Sequence, residues 1–453
     1  MLPSPDRLSR RNFLLASASA ALLSACATKT GEVPAGHAPT MADLLAAQAV
    51  TIRNLTSTDP GIKALAKRLS TAQIAGLGEA THGSHEDALL KAVLIQRMVE
   101  DHDLRVVLLE ANRTGAAQFD AYASGAPTGL LAADAVREAP LFRILKTEVM
   151  ADLLTWLRGW NAVNPDQRVQ VLGIDCQASS ADAGDALAAL SKVDSGAADA
   201  LAASLAPILT EEARSLRHDR MLNQIASAQR VEAEAACLML EAELKRVGLP
   251  DAAFTARRAW QGLNAFELET SDADITLATP EYWSRRDVFM ADNALALAGG
   301  KPAVLWAHNA HVAGGRPGGG SAGYEPTGGA LRDALGKRYA ALVQEFGEAT
   351  FLALPAGEDF GPDAPLAFIR RRARPDTLNA LTAEASRTTA WFDLANLPDS
   401  PLTAQWRSTE IGLDWYGAKA SETPLDSDIS HVPPARLFDL VVYHPKLTAS
   451  RML

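Results

Sequence analysis

Two short segments of the chain concentrate histidine and glutamate side chains at a spacing that suits acid–base chemistry. In the first, an apolar run ending in glycines leads into four such residues, Glu79, His82, His85 and Glu86. In the second, an apolar run leads into His-Asn-Ala-His at residues 308–311. A neutral histidine hydrogen-bonded to a carboxylate acts as a general base toward water near neutral pH. The two segments therefore predict a shared pocket in which water attacks an ester or a similar acyl bond.

The residue types in this predicted pocket suggest a division of roles. His82 is the predicted base that removes a proton from water. Either Glu79 or Glu110 would orient its imidazole and stabilise the ring once it is charged. His308 would stabilise the developing oxyanion or protonate the leaving alkoxide. This scheme needs no cofactor.

The same residues leave a metal-dependent hydrolase open as an alternative. The spacing is that of metal ligands in Glu79-x-x-His82 and His82-x-x-His85-Glu86 of the first segment and in His308-x-x-His311 of the second. The strong zinc signatures, His-Glu-x-x-His and His-x-x-Glu-His, do not occur in either segment. If a divalent metal is bound, we expect His82, His85 and His308 to hold it with nearby carboxylates.

Two other motifs near the first histidine are better explained by structure than by catalysis. Ser84 and Asp87 fit a capping box, which predicts a helix that begins at His85 and whose first amides favour negative charge. Ser84 lacks the Gly-x-Ser-x-Gly context of a nucleophile. The preceding glycines do not complete a dinucleotide motif, because Thr81 stands where the third glycine belongs.

The elements that would position these residues alternate between strands and helices. Apolar runs at residues 73–78, 105–110, 168–174 and 302–307 predict strands, with helical patterns between them. Buried strands of this kind predict an α/β fold, with a parallel-sheet core, helices on both faces and a large helical insertion over about residues 178–275.

The ends of the predicted strands explain why distant residues would meet. Ligands of open parallel sheets bind beyond the carboxyl ends of the strands. The four strands end in polar side chains there, namely Glu79 and His82, Glu110 and Asn112, Asp175, and His308 and His311. We therefore expect these side chains at one edge of the sheet.

Further elements follow from the same patterns. Helices are predicted over residues 84–100, 147–162 and 281–298, and later strands over residues 339–345, 350–354, 390–393 and 437–443. The glycine-rich stretch 314–329 predicts a flexible loop that would act as a lid beside the pocket.

Composition limits the partners. The chain has 453 residues, 48% apolar content and a net charge of −11, so it can bury a large core. No block of basic residues occurs, whereas nucleic-acid phosphates are bound by clustered Lys and Arg. We therefore expect no nucleic-acid partner.

The N-terminus resembles a bacterial export signal. Residues 9–14 read Ser-Arg-Arg-Asn-Phe-Leu, a twin-arginine pattern, and the apolar stretch 13–23 is too short to span a bilayer. The sequence before Cys26 resembles a lipobox, which predicts lipid on this cysteine; a plain cleaved signal peptide is the alternative. We expect a protein anchored at the cell envelope and facing the periplasm.

These features predict three parts, a signal peptide at residues 1–25, a tether at 26–40 and one α/β domain at 41–453. An oxidising periplasm permits a disulfide between Cys176 and Cys237, and two buried free thiols are the alternative.

Five segments carry a resemblance to a known family, at residues 76–86, 109–112, 173–175, 286–293 and 306–311. In order and content they resemble the erythromycin esterase family. The resemblance implies an α/β fold with large helical additions, a cleft between them, and hydrolysis of an ester or lactone without an obligatory metal.

The resemblance also implies roles for individual residues. His82 matches the base, Glu79 and Glu110 match acidic residues near it, and His308 matches a second functional histidine. We further predict substrate contacts from residues in or beside the matching segments, namely His85, Glu86, Asn112, Arg286 and His311. The chain departs from the family at Lys91, where arginine is frequent, because lysine cannot make a bidentate contact.

The substrate follows only in class. The family's named activity opens the macrolactone of macrolide antibiotics, which requires a wide apolar cleft, and many relatives look like hydrolases of other substrates. Besides a macrolide-esterase-like hydrolase, a non-catalytic envelope protein that binds a small molecule stays open.

Overall fold

The computed structural model of the chain describes residues 38–127, 129–211, 221, 225–265, 280–316, 324–358 and 364–453. The predicted export signal, Cys26 and nearly all of the predicted tether lie outside these residues. Within them, no helix has the length and apolar character needed to cross a membrane.

Most of the strands belong to one large sheet. In chain order the strands are β1 (Val50–Thr51), β2 (Ile74–Leu77), β3 (Val106–Asn112), β4 (Gln170–Asp175), β5 (Ala303–Trp306), β6 (Tyr339–Pro355), β7 (Ala367–Arg372), β8 (Ala390–Asp393), β9 (Ile411–Asp414), β10 (Lys419–Ala420), β11 (Ile429–Val432) and β12 (Leu440–Leu447). Among the described residues, ten of them form a mostly parallel sheet in the order β1-β8-β12-β6-β2-β5-β3-β4, with β7 and β10 also paired to β6. Strands β9 and β11 form a separate antiparallel pair.

Helices surround this sheet and also form a group of their own. They are α1 (Met41–Gln48), α2 (Pro60–Leu69), α3 (His85–Asp101), α4 (Arg113–Ala123), α5 (Ala132–Glu138), α6 (Glu148–Val163), α7 (Ser179–Ser191), α8 (Ser195–Leu209), α9 (Ser227–Arg246), α10 (Pro250–Ala265), α11 (Pro280–Ala298), α12 (Asn309–Val312), α13 (Thr327–Leu335), α14 (Leu378–Ala385), α15 (Pro401–Trp406) and α16 (Pro434–Leu437).

The central strands β2, β3 and β5 are mostly apolar, because both faces of the sheet are covered. In β3, Val107 and Leu109 pack with α2, α3 and α6 on one face. Val106 and Leu108 pack with α1 and α11 on the other. This is the pattern expected of buried strands in a parallel sheet. The predicted α/β class, with helices on both faces, is confirmed.

Within the described residues, the interval predicted for the helical insertion contains α7 to α10, which pack around their own apolar cluster. Their sequences are rich in alanine and leucine, which favour helix. Cys176 and Cys237 lie in this cluster as buried free thiols. Part of the interval predicted for the insertion, including residues 266–275, lies outside the described residues.

Glycine explains two predictions that were wrong. The two strands predicted over 339–345 and 350–354 are one strand, β6, which continues through Gly347. A Cβ at Gly347 would lie 2.5 Å from the Tyr443 hydroxyl oxygen, so glycine there permits close approach of β12 rather than a break.

The second wrong prediction is the C-terminal part of the glycine-rich loop. Gly328 and Gly329 lie inside α13, and a Cβ at Gly328 would lie 2.3 Å from the Val312 carbonyl oxygen. Residues 317–323 of that stretch are outside the described residues. The last strand also begins and ends later than predicted, at Leu440–Leu447.

Candidate active site

The loops after β2 and β5 place the two predicted histidines side by side. The two strands are parallel neighbours, so both loops leave the same edge of the sheet. The ring centroids of His82 and His308 are 4.9 Å apart, with 50° between the ring planes. Residues 226 positions apart in sequence therefore share one centre.

A carboxylate and a buried lysine fix the His82 ring. His82 Nδ1 lies 2.6 Å from Glu79 Oε1, and Lys91 Nζ donates to Glu79 Oε2 at 2.5 Å. Lys91 also donates to the Ala307 carbonyl at 3.1 Å and lies 4.9 Å from the centroid of the Trp306 ring. A single buried ammonium thus pairs with the Glu79 carboxylate.

The Glu79 carboxyl is ionised in this setting. Burial alone would raise its pKa, but Lys91 and His82 lower it to about 2. Burial lowers the pKa of Lys91, and the Glu79 carboxylate opposes this effect. An ionised acceptor on Nδ1 favours the tautomer in which Nδ1 carries the proton, and this leaves the Nε2 lone pair of His82 available as a base.

His308 has the complementary arrangement. Its Nδ1 accepts a hydrogen bond from the Ala310 amide at 3.2 Å, so a neutral ring carries its proton on Nε2. Nε2 is buried and has no partner among the residues that the structure describes. Burial, together with the nearby His82, lowers the pKa of His308 to about 3. His308 is therefore a neutral donor, which suits an oxyanion better than it suits proton transfer to a leaving group.

Behind His308 lies a network of buried charges. The Glu110 Oε2 atom accepts from the His308 amide at 3.1 Å, and Oε1 lies 3.1 Å from His311 Nε2. Arg286 donates to Glu110 Oε1 at 3.3 Å and to both oxygens of Asp175, at 3.1 and 2.8 Å. The other nitrogen of His311, Nδ1, lies 2.8 Å from Asp287 Oδ2.

Two carboxylates make His311 a permanent cation at neutral pH. Burial opposes its protonation, but Asp287 and Glu110 raise its pKa to about 10. Burial would likewise raise the pKa of Glu110, yet the cations of His311 and Arg286 hold it well below its usual range. Both ring nitrogens of His311 are occupied, so this histidine supplies positive charge rather than a free base.

The loop that carries His82 is shaped by Asp87. Helix α3 begins at His85 as predicted, but the capping box is not formed. Instead the Ser84 hydroxyl donates to Asp87 Oδ2 at 2.6 Å, and the amides of Ala80 and Thr81 donate to the same oxygen at 3.2 and 3.4 Å. Burial raises the pKa of Asp87 to about 7, and the hydrogen bond from Ser84 opposes the rise.

Two predicted substrate contacts make structural hydrogen bonds outside the histidine cluster. Glu86 accepts from the amide and hydroxyl of Thr448 at 2.6 and 2.8 Å. Asn112 caps α4, since its Oδ1 accepts from the Gly115 amide and its Nδ2 donates to the Pro140 carbonyl, both at 2.9 Å.

The segment of His85 is tied to the C-terminal part of the chain. The His85 amide donates to the Thr448 carbonyl at 2.7 Å, and the Gly83 carbonyl accepts from the Ser450 amide at 2.8 Å. Of the five predicted contacts, Arg286 and His311 are therefore the two whose side chains join the charged network behind His308.

Several residues at the site were missed from the sequence. Tyr324 donates to Asp287 Oδ2 at 2.7 Å, and Trp415 stands edge-on to the His308 ring with centroids 6.3 Å apart. Glu345 accepts from the indole N–H of Trp415 at 3.0 Å. None of these residues lies in a sequence motif, and only the tertiary structure brings them to the site.

The residues predicted for a metal do not form a ligand set. Among the part of the chain that the structure describes, no three His, Cys, Asp or Glu side chains are placed to hold a metal ion. Nδ1 of His82 and Nδ1 of His308 already have protein partners. A metal-dependent hydrolase stays a prediction from the sequence.

Comparison with known proteins identifies the family. The sequence profile of the erythromycin esterase family matches residues 99–447. The chain belongs to the erythromycin esterase family. The match begins after Glu79 and His82 in this esterase family member. These two residues are therefore assigned to the site by the structure and not by the match. No curated protein matches the sequence.

Solved structures share the fold of this erythromycin esterase family member. A Bacillus cereus protein from structural genomics is 20% identical, with a TM-score of 0.73 over 91% of this chain and 98% of its own. A protein described as a succinoglycan biosynthesis protein is 17% identical, with a TM-score of 0.75 over the same shares. The erythromycin esterase EreC, solved as a histidine-to-asparagine mutant in its open conformation, is 19% identical, with a TM-score of 0.62 over 89% and 98%.

Proposed function

We propose that this family member is a carboxylic ester hydrolase that cleaves an ester or lactone with water activated by His82. One observation carries the proposal: the ring centroids of His82 and His308 are 4.9 Å apart, and the two rings have opposite hydrogen-bonding roles. His82 presents a lone pair, because Glu79 holds its other nitrogen, and His308 presents an N–H.

The proposed reaction uses these two atoms in turn. His82 Nε2 takes a proton from water while the water oxygen attacks the carbonyl carbon. The Glu79 carboxylate stabilises the imidazolium, and the His308 N–H donates to the tetrahedral oxyanion. When the intermediate collapses, the C–O bond to the alcohol breaks and the proton on His82 passes to the leaving alkoxide. The products are an acid and an alcohol, or one hydroxy acid from a lactone.

The charged network behind His308 would assist the same step. The Glu110 carboxylate fixes the His308 amide, and the cations of Arg286 and His311 neutralise Glu110. Without them, the negative charge of Glu110 would oppose an oxyanion beside His308. Catalysis of acyl transfer depends on such preorganised charge.

A macrolactone is the first substrate to test, because one structural neighbour is named an erythromycin esterase. We further propose that the protein is exported and lipid-anchored on Cys26 facing the periplasm, on the basis of the pattern in residues 9–26. Fractionation of cells that express the wild type or Cys26→Ala tests this. We expect the wild type in the membrane fraction and the Cys26→Ala variant to lose this association.

The deciding experiment is a hydrolysis panel with matched variants. Erythromycin, a small lactone and p-nitrophenyl acetate would be offered to the wild type, to His82→Ala and to His431→Ala. His431 is exposed on β11 and serves as the control histidine. We expect His82→Ala to lose about 10³-fold or more in kcat, as for removal of a general base with its oxyanion partner kept, while His431→Ala equals the wild type. Full activity of a folded His82→Ala contradicts the mechanism.

The panel also separates the alternatives. Turnover that a chelator abolishes and that one equivalent of a divalent metal restores favours the metal-dependent hydrolase. No turnover of any substrate favours a protein that only binds its ligand.

A further inference from the structure

Glu345 is a buried carboxyl group that the proposed mechanism does not use. It lies on β6 with none of its surface exposed. Its Oε1 accepts the indole N–H of Trp415 at 3.0 Å, and its Oε2 has no partner among the described residues. An ionised carboxylate with a single neutral donor is costly to bury. Glu345 is therefore a neutral acid that offers one acceptor to one indole.

The electrostatics agree with this assignment. Burial raises the pKa of Glu345 well above its usual range, and the hydrogen bond from Trp415 opposes the rise. The nearby carboxyls of Asp414 and Asp87 raise it further. No described basic side chain is paired with Glu345, in contrast to Glu79 and Glu110.

Trp415 is held in a fixed orientation between two other rings. Its ring is edge-on to His308, with an interplanar angle of 89°, and lies 5.5 Å from the Phe438 ring at 67°. Both are preferred geometries for aromatic pairs. The chain around it is tied to the His82 loop, because the Tyr416 amide donates to the Ala80 carbonyl at 2.9 Å.

We propose that Glu345 is a positioning residue that holds Trp415 edge-on against His308 and so aims the His308 N–H at the reacting oxygen. This inference rests on the proposed function, because it assumes the role of His308 there. His308 is otherwise oriented through its own turn, by the Ala310 amide on Nδ1. The indole supplies the contact against the ring itself. A displacement of about 1 Å in such a group costs about 10²-fold in rate.

The test compares two replacements of similar size. Glu345→Gln keeps an oxygen acceptor for the indole and is neutral, as the native acid is. Glu345→Leu removes the acceptor. We expect Glu345→Gln to stay within about threefold of the wild-type kcat, and Glu345→Leu to lose about 10- to 100-fold in kcat with KM nearly unchanged. A role in packing alone would not separate Gln from Leu in this way.

A second variant tests the same contact from the other side. Trp415→Phe should lower kcat by a similar factor, and the double variant Glu345→Leu/Trp415→Phe should be no slower than the slower single variant, because both act through one contact. Wild-type kcat in Glu345→Leu, an equal loss in Glu345→Gln, or additive losses in the double variant overturns the proposal. If Glu345→Leu does not fold by circular dichroism, wild-type kcat in Trp415→Phe overturns it.

His82→Ala separates this inference from the proposed function. An inactive His82→Ala beside a fully active Glu345→Leu overturns the positioning role alone. An active His82→Ala overturns both.

Discussion

The site contains two imidazole–carboxylate pairs that differ in how many carboxylates touch the ring. His82 meets one carboxylate, Glu79, whose charge is balanced by Lys91. His311 lies between two, Glu110 and Asp287. The first ring keeps a free nitrogen that can accept a proton, whereas the second has both nitrogens occupied and stays charged. The same residue type thus has one carboxylate partner in the first pair, where we propose that it acts as a base, and is held as a cation by two carboxylates in the second.

The strongest way to break this comparison is to remove the single carboxylate of the first pair. In Glu79→Gln no carboxylate holds the proton of His82 on Nδ1, so the ring can adopt either tautomer. The Lys91 ammonium stays buried without its counter-ion. We expect a loss of about 10³- to 10⁴-fold in kcat, as when the carboxylate of a triad is made neutral, and about 3–5 kcal/mol less unfolding free energy. Steady-state kinetics and urea unfolding measure the two effects.

A double variant provides the control for that prediction. In Glu79→Gln/Lys91→Met no buried charge is left unpaired, so most of the stability should return while kcat stays low. Recovery of kcat in the double variant would show that Glu79 serves stability and not catalysis.

The second pair should make the stability of the protein depend on pH. The folded-state pKa of His311 is about 10, raised above its ordinary value of 6.5. Its contribution to stability is therefore complete below pH 6.5 and is lost as pH rises toward 10. We expect the unfolding free energy of the wild type to fall by a few kcal/mol more over this window than that of His311→Gln, on the order set by linkage. Parallel curves for the two proteins would contradict it.

Removing one of the two carboxylates around His311 should make it resemble His82. In Asp287→Asn, the Nδ1–H group of His311 keeps an oxygen acceptor, but that acceptor no longer carries a negative charge. We expect the pKa of His311 to fall from about 10 and the unfolding free energy to drop by about 1–3 kcal/mol. NMR titration of the imidazole measures the first, and an unchanged pKa would assign the raised value to Glu110 alone.

The smallest expected effect lies outside both pairs. Glu86→Ala removes two hydrogen bonds to Thr448 from a partly exposed carboxylate. We expect about 1–2 kcal/mol less unfolding free energy, with kcat within about twofold. A large rise in KM with intact stability would instead support the predicted contact of Glu86 with substrate.

Sequence was sufficient for those parts of the site that follow strand ends. Glu79, His82 and His308 could be brought together because β2 and β5 are short, apolar and followed at once by polar residues. Asp175 and Glu110 follow the same logic. Such residues need only a parallel sheet, which the apolar runs predict, to share an edge.

The rest could not be predicted because it depends on contacts without local pattern. Trp415 and Glu345 meet across elements 70 residues apart, and Tyr324 reaches Asp287 from a glycine-rich stretch. The sequence predicts that Ser84 caps α3, yet its hydroxyl donates to Asp87, a buried carboxyl that also accepts from the amides of Ala80 and Thr81. The continuity of β6 through Gly347 depends on how closely β12 packs.

The hydrogen bonds between the His82 loop and residues 448–450 have a consequence for synthesis. The strands on which the two histidines depend are complete long before the ribosome reaches these residues. The Gly83 carbonyl and the His85 amide nevertheless cannot form these hydrogen bonds until Ser450 and Thr448 have been synthesised. A nascent chain that has exposed only its first 440 residues has β2, β5 and β6 but lacks β12 and these partners of the His82 loop. We therefore expect this centre to be among the last parts of the molecule to form.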